Sequence, residues 1–422
     1  MKKRVSLSVT ITVVVLAVAL TISGTMVLSM RYFSSMVSDV GQRQAMYEYI
    51  DEIDSSARQV YTIDEEKLRA ALANGYMEGL GDPYAEYLSA ADYQQIQSRL
   101  AGDRTGFGFA VTVSTENKLI ISSVDANSPA ALSEIQEGDI LLAIDGEELN
   151  GSLYTTVQTK LETAQKLLLS VSHNGLQSAV ELTANTYTAV SIESRLIGDT
   201  VGYIGISDFN NLTPLQFKNA YNELTQKGAQ YFIFDVRNNN GGSLSAVQEI
   251  LDYLLPRGLY AMCETKNGRE YFTAKDAYEM TVPTVTLVNG NTVGEAELFA
   301  AALQDLSKTQ LVGTTTEGKA LVQQYYSIGS DKAAVRLTVG KLSLMQSDAS
   351  WMDTGLYPNH MVDLPYDKLM VFGLLTDAED PQIQKAIEVL KNSNIVSQST
   401  NAVKVPTTTT VATTATATTT KK

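Results

Sequence analysis

The scarcity of histidine and cysteine limits the covalent chemistry open to this chain. It contains two histidines, His173 and His360, and one cysteine, Cys263, in 422 residues. These counts exclude an intrachain disulfide and a zinc site of the usual Cys and His types, and neither histidine lies in a segment typical of a Ser-His-Asp triad. Both histidines are expected to be structural or on the surface. If the protein performs covalent catalysis, a serine paired with a lysine is the most natural remaining arrangement.

One Gly-Lys pair, Gly318 and Lys319, lies at the end of a strand, helix and strand pattern. A β-branched strand is predicted at 282–288, followed by a loop, a helix that ends at Asp305 and a second strand that leads to the Gly-Lys pair. The helix begins near Gly294, in the stretch Thr-Val-Gly-Glu-Ala-Glu.

This segment resembles the C-terminal-processing (tail-specific) serine peptidases. In that family the nucleophilic serine opens the helix, and the general-base lysine follows 25 positions later in a Gly-Lys pair; counting back 25 from Lys319 reaches Gly294. The resemblance also implies that Gln323, four residues after the lysine, orients the lysine side chain. It therefore implies a family member whose nucleophile position is vacant.

A glycine turn earlier in the chain carries a second part of the resemblance. The run Asp-Val-Arg-Asn-Asn-Asn-Gly-Gly at 235–242 is similar to the family's Asp-Leu-Arg-Asn-Asn-Pro-Gly-Gly, with Asn240 in place of the proline. The resemblance implies that Gly241 and Gly242, together with Glu295 after the vacant position, form an oxyanion-type turn whose backbone N–H groups face a developing negative charge. A plain strand-to-helix turn would use the same glycines.

Residues 102–183 resemble a PDZ domain. The motifs are Ser-Pro-Ala-Ala at 128–131, Gly-Asp-Ile-Leu at 138–141 and Ile-Asp-Gly at 144–146. The consecutive residues Gly106, Phe107, Gly108 and Phe109 can expose backbone N–H groups to a peptide's terminal carboxylate, and the strand after them can accept the peptide as an added strand. A β-turn without a ligand also explains two glycines, but the whole set of motifs favours peptide binding.

The expected fold is an α/β core of the tail-specific peptidase (ClpP/crotonase-like) type, with a PDZ domain, an N-terminal helical arm and one transmembrane helix. Apolar strands alternate with amphipathic helices from about residue 190, which indicates the α/β class. The predicted division is 1–30 for the signal anchor, 31–100 for the helical arm, 101–187 for the PDZ domain, 188–392 for the core and 393–422 for a disordered Thr/Ala-rich tail.

The N-terminal run 5–28 is apolar or small and carries no charge, and it follows Lys2, Lys3 and Arg4. It is long enough to cross a hydrocarbon core of about 30 Å, and the basic flank should remain in the cytoplasm. A cleaved signal peptide is the alternative, but the run exceeds its usual apolar length and no clear cleavage site ends it. We expect an uncleaved single-pass anchor, with the bulk of the chain on the outer face of a bacterial membrane.

Two further expectations concern the residues beside the vacant position. Thr292 is predicted to be the N-cap of the helix, with Glu295 reaching back to it in a capping box and an ion pair with Lys319 as its second conformer. A carboxylate beside Lys319 would favour the ammonium form and so disable the lysine as a base. The Thr292 hydroxyl is already assigned to the helix cap. Ser243 and Ser245 follow the glycine turn, and nucleophilic attack from there would need a different geometry.

The function expected from the sequence is that of an inactive, membrane-anchored relative of these peptidases that binds polypeptide C-termini or exported proteins. A homodimer or an active paralogue is an expected partner, and no metal or cofactor is implied. The net charge of −15, without a basic cluster beyond the N-terminus, argues against nucleic acid. The alternatives are an active serine-type endopeptidase that uses a displaced hydroxyl, such as Thr292 or Ser243, and a scaffold protein that assembles through its helical arm.

Overall fold

The computed structural model describes residues 7–275, 279–306, 308–330 and 332–392. The basic residues 2–4 and the predicted tail 393–422 lie outside these ranges. The chain divides into two compact units, one ending at Tyr76 and one beginning at Met77. The first unit is helical, with α1 (Leu7–Arg58) and most of α2 (Glu65–Gly79). Within α1, Val13–Tyr32 has a mean hydropathy of 2.3 and is long and apolar enough to cross a membrane, as an anchor or a signal sequence could.

The second unit begins with two short elements and an antiparallel sheet in the region expected to be a PDZ domain. The elements are β1 (Glu86–Leu88), α3 (Ala90–Ala101), β2 (Asp103–Gly106), β3 (Phe109–Val113), β4 (Leu119–Val124), β5 (Ile140–Ile144), β6 (Glu147–Glu148), α4 (Tyr154–Thr163), β7 (Lys166–His173), β8 (Leu176–Thr183) and β9 (Asn185–Thr188). The sheet order is β3-β4-β5-β7-β8, with β6 beside β5, and β2 pairs with β9. Strand β3 therefore lies at the edge of the sheet, as a peptide-accepting strand must.

The rest of the second unit is an α/β core. Its elements are β10 (Ile192–Ile197), β11 (Val201–Ile206), α5 (Thr213–Gln226), β12 (Tyr231–Asp235), α6 (Leu244–Leu254), β13 (Gly258–Thr265), β14 (Gly268–Ala274), β15 (Thr284–Val288), α7 (Glu295–Asp305), β16 (Thr309–Gly313), β17 (Leu321–Ile328), β18 (Ala333–Leu344), β19 (His360–Met361), α8 (Tyr366–Met370) and α9 (Pro381–Asn392). One sheet has the order β10-β11-β12-β15-β16-β19 and is parallel from β11 onward.

The central strand β12 shows why this sheet is buried on both faces. Phe232 and Phe234 point into one apolar cluster with α5, α6 and α7, whereas Ile233 points into another with α9. All three side chains are buried, because helices cover both sides of the parallel strands. The carboxyl ends of β12 and β15 consequently lie side by side, and they lead into the glycine turn and into α7.

A second sheet covers the helices on the side away from the parallel sheet. Strands β1, β18, β13 and β14 follow in that order, β17 pairs with β18, and all the pairs are antiparallel. Strand β1 lies in a stretch for which the sequence pattern predicted only helix. Its partner β18 lies about 250 residues later, so local periodicity could not indicate the pairing, which has Glu86 opposite Arg336.

A buried charge network fixes the loop that follows β12. The Arg237 guanidinium donates to Asp235, to Asp380 Oδ2 at 2.8 Å and to Gln382 Oε1 at 2.7 Å. Tyr203 donates to Asp235 Oδ2 at 2.8 Å. The two carboxylates hold the pKa of the arginine above its usual range, although burial works against this. The network therefore joins the loop before the glycine turn to the start of α9.

Replacing Arg237 with alanine is expected to lower the free energy of unfolding by about 3–5 kcal/mol, because two buried carboxylates would lose their cation. The exposed Arg257 provides the matched control, and Arg257→Ala should change stability by less than about 0.5 kcal/mol. Urea denaturation followed by circular dichroism measures both. Equal midpoints for the two variants would show that the network does not hold the loop.

Candidate functional site

Helix α7 begins directly after Gly294, which is its N-cap. The backbone angles of Gly294 are φ +61° and ψ −114°, a conformation that glycine adopts readily and that strains other residues. Apart from its chain neighbours, no heavy atom lies within 4 Å of the place where a Cβ would stand. A side chain at this position would therefore project into open space.

Glu297 joins the start of α7 to the loop that carries Lys319. The side chain is fully buried. Its Oε2 accepts from the backbone N–H of Gly294 at 3.0 Å and from that of Lys319 at 2.8 Å. Its Oε1 accepts from the N–H of Gly318 at 2.8 Å and from the Thr316 hydroxyl at 2.5 Å. One carboxylate thus brings the vacant position and the lysine backbone together.

The predicted capping box at Thr292 and Glu295 is wrong by two residues. The cap is Gly294, and Glu297 is the residue that reaches back to its N–H. The Thr292 hydroxyl is used elsewhere, because it donates to the Val236 carbonyl at 2.8 Å and accepts from the Asn289 N–H at 3.0 Å. The helix therefore begins later than the threonine suggests.

The Lys319 amine is half-buried among its neighbours. Its Nζ donates to Gln323 Oε1 at 2.7 Å, and Gln323 Nε2 donates to the Tyr84 carbonyl at 2.9 Å. The Nζ also lies 5.1 Å from the centre of the Tyr84 ring. Burial lowers the pKa of the amine despite the opposing charge of Glu295. The expectation that a nearby carboxylate would dominate the pKa of the lysine is therefore wrong, since desolvation outweighs the carboxylate.

The glycine turn, Gly241–Gly242, lies beside the start of α7. Both residues have positive φ, +84° and +141°. A Cβ on Gly242 would stand 2.1 Å from the Phe209 carbonyl oxygen, and one on Gly241 would stand 2.4 Å from Oε2 of Glu295. The close approach of the Phe209 backbone therefore requires glycine at 242, whereas at 241 the positive φ favours glycine.

The Glu295 carboxylate occupies the glycine turn. Its Oε2 accepts from the Gly242 N–H at 3.1 Å. It forms neither of its predicted interactions, since it does not cap Thr292 and makes no direct ion pair with Lys319. Burial raises the pKa of the Glu295 carboxyl, while the N–H groups of Gly242 and Glu295 and the charge of Lys319 act in the opposite direction.

The hydroxyl groups considered as replacement nucleophiles form other hydrogen bonds. Ser243 is the N-cap of α6 and accepts from the Ala246 N–H at 3.3 Å, and its Oγ lies 2.9 Å from that of Ser245. Thr292 is buried against the Val236 carbonyl. Within the described ranges, no serine or threonine hydroxyl is hydrogen-bonded to the Lys319 amine.

The predicted peptide-binding loop has the expected open amides. The carbonyls of Phe107 and Gly108 accept from Ala130 and Asp125, but their N–H groups donate to no group in the part of the chain that the structure describes. Gly108 has φ +77°, and a Cβ there would stand 2.0 Å from Ser128 Cβ. The loop thus presents two backbone donors at the start of edge strand β3.

Each of the two histidines contacts a different polar side chain. His173 Nδ1 is 2.6 Å from Asp139 Oδ1, and His360 Nε2 is 2.8 Å from Gln310 Oε1. Neither contacts Lys319 or the glycine turn in these bonds. The geometry therefore leaves Lys319 as the base candidate beside the start of α7.

Comparison with known families agrees with this arrangement. Residues 200–362 match the model of Peptidase family S41, and residues 95–172 match the model of the PDZ domain. The α/β core of the chain belongs to peptidase family S41. The matched core contains both the glycine turn and Lys319, and the PDZ match contains the loop from Gly106 to Phe109.

Relatives of this S41 member include carboxyl-terminal-processing proteases. One from Synechocystis is 29% identical over 334 residues, covering 77% of each chain. CtpA of Bacillus subtilis is 29% identical over 314 residues, which cover 72% of this chain and 66% of that relative. The structure of a putative S41 protease from Bacteroides fragilis covers 75% of this chain and 90% of its own, with 18% identity and a TM-score of 0.57. That likeness establishes the shared fold.

Sequence reasoning missed two groups of this S41 site, Glu297 and the Tyr84 carbonyl. Glu297 could have been found, because glycine is also a common N-cap and a glutamate three residues later can reach back to its N–H, which is the half of the capping box that needs no hydroxyl. The Tyr84 carbonyl could not, since a backbone group leaves no signature in a sequence. Its position depends on β1 pairing with distant β18.

In this S41 member, Glu297→Gln is expected to lower the free energy of unfolding by about 1–3 kcal/mol, because an amide nitrogen would face buried N–H donors. The exposed Glu317→Gln serves as the control and should have little effect. Urea midpoints of the two variants and the native chain measure the difference. A Glu297→Gln variant as stable as the control would mean that this carboxylate does not hold the site together.

Proposed function

We propose that this S41 member does not hydrolyse peptides and binds the C-termini of exported polypeptides through its PDZ domain. Gly294 carries the proposal, because it stands at the start of α7 beside a preserved lysine and offers no nucleophile. Loss of the serine nucleophile in a related enzyme class lowers turnover by about 10⁶. Hydrolysis at a rate useful to a cell is not expected from what remains.

The alternative, an active endopeptidase with a displaced hydroxyl, has less support from the geometry. The Thr292 hydroxyl both donates and accepts within its own loop, and Ser243 caps α6. Recruiting either group would break those bonds before its proton could reach Lys319. The lowered pKa of Lys319 suits a base, but a base alone does not cut a peptide bond.

Peptide binding is supported by the edge of the PDZ sheet. Strand β3 pairs with β4 on one side only, so its other side can accept an extended peptide. The free N–H groups of Phe107 and Gly108 lie at the start of that strand and suit a terminal carboxylate. The proposed ligand is therefore a polypeptide C-terminus, as the names of the carboxyl-terminal-processing relatives also suggest.

The proposed location is the outer face of a bacterial membrane, with Val13–Tyr32 as a single-pass anchor. An apolar helix of 20 residues spans about 30 Å, the thickness of a hydrocarbon core. The proposed partners are exported proteins and, through the helical arm, a second copy or an active paralogue. The boundaries that we propose for the anchor, arm, PDZ domain, core and tail are those predicted from the sequence.

The test is to mix the detergent-solubilised full chain with labelled unstructured peptides that end in apolar residues. We expect binding by fluorescence anisotropy, no cleavage by mass spectrometry, and at least tenfold weaker binding of the same peptides with an amidated C-terminus. Gly108→Ala should also weaken binding at least tenfold, because its Cβ would crowd Ser128.

Gly138→Ala is the matched control, since Gly138 also has positive φ but has open space around it. Equal binding by both variants would contradict a role for the loop. Cleavage that disappears in Lys319→Ala would contradict the absence of hydrolysis and favour the displaced hydroxyl.

A further inference from the structure

The Glu295 carboxylate lies where several groups of the fold create a positive electrostatic potential. The Gly242 N–H points at Oε2 from 3.1 Å. Glu295 is also the first residue of α7, an 11-residue helix whose N-terminal N–H groups carry partial positive charge. Lys319 and Arg99 add favourable charge interactions with the carboxylate. Backbone and side-chain groups from four segments therefore favour an anion at one point, and they oppose the burial that raises the pKa of the carboxyl.

The glycine turn matches the carboxylate in shape as well as in charge. Oε2 of Glu295 lies 2.4 Å from where a Gly241 Cβ would stand, so the oxygen rests directly against the glycine backbone. Glu295 is the residue after the vacant position, and its side chain folds back over the turn instead of pairing with Lys319, whose amine donates to Gln323. A backbone turn that admits an oxygen this closely is a site for a small oxyanion.

We propose that the glycine turn and the start of α7 form a binding site for one carboxylate, and that Glu295 is its resident ligand, supplied by the chain itself. The resident carboxylate excludes a peptide carbonyl from the turn. It also joins the β12–α6 loop to α7 without any bound substrate. Removing the side chain leaves an empty anion site that a small external carboxylate can enter.

This inference does not depend on the proposed function. The occupied turn is a property of the resting protein, and it holds whether or not a displaced hydroxyl gives some hydrolysis. Its test therefore measures binding at the turn and needs neither a peptide nor turnover.

The sequence permits a selective measurement, because Gly241–Gly242 is its only Gly-Gly pair. Labelling the full chain with ¹³C-carbonyl and ¹⁵N glycine gives a single HNCO peak, that of the Gly242 amide. Sodium acetate is then titrated, with sodium chloride at equal ionic strength as the control. In Glu295→Ala we expect acetate, and not chloride, to shift the peak saturably over roughly 10–100 mM, as suits a small monocarboxylate with few contacts.

The native chain and Glu295→Gln should show no such shift, because a side chain of the same shape still fills the turn. An unmoved peak in folded Glu295→Ala would overturn the proposal, and so would an equal acetate shift in the native chain. If Glu295→Ala does not fold, Glu295→Ser provides a second small side chain with the same expected result.

If neither variant folds, hydrogen exchange of the Gly242 amide in the native protein tests whether a carboxylate is bound there. Slow exchange supports a bound carboxylate, and exchange as fast as in an unstructured peptide overturns it.

Discussion

The arrangement of this site depends on one buried carboxylate, that of Glu297. It accepts from the backbone N–H groups of Gly294, Gly318 and Lys319 and from the Thr316 hydroxyl. These donors come from the start of α7 and from the loop after β16, two segments that would otherwise leave them unpaired in the interior. An unpaired buried donor costs about 1–3 kcal/mol, so the two segments are held in one relative position by the carboxylate that satisfies both.

With that position fixed, the side chains around it decide what the site can do. The Lys319 amine is half-buried and donates to Gln323, and burial lowers its pKa. The Gly242 N–H of the glycine turn donates to the Glu295 carboxylate. Gly294 has a positive-φ conformation that glycine adopts readily, and it has no side-chain oxygen. Our proposals of peptide binding without hydrolysis and of a resident carboxylate in the turn rest on these three features.

The sequence predicted much of this molecule because its strong signals are local. The glycine turn, the Gly-Lys pair and the PDZ motifs each lie within a few residues, and the alternation of apolar strands with amphipathic helices indicated the α/β core. What it could not predict depended on contacts between distant segments. The carboxylate of Glu295 could be assigned to a cap or to Lys319 by spacing alone, whereas its observed partner, Gly242, lies 53 positions earlier.

The helix start illustrates the same limit at short range. Thr292 and Glu295 have the spacing of a capping box, and Gly294 and Glu297 have it too. Tertiary structure decides between the two, because the Thr292 hydroxyl is needed by the Val236 carbonyl and Glu297 by the Lys319 loop. The lowered pKa of Lys319 is likewise set by burial, which the spacing of charges along the chain does not reveal.

The most direct measurement compares peptide hydrolysis by Gly294→Ser, by Gly294→Ser with Glu295→Ala, and by the latter pair with Lys319→Ala. A serine in the strained turn before α7 would have open space for its hydroxyl, and removing Glu295 would empty the glycine turn. The account predicts new peptide ends by mass spectrometry from the double variant alone. A folded double variant that binds peptides but leaves them intact, or a native chain that cleaves them, would contradict it.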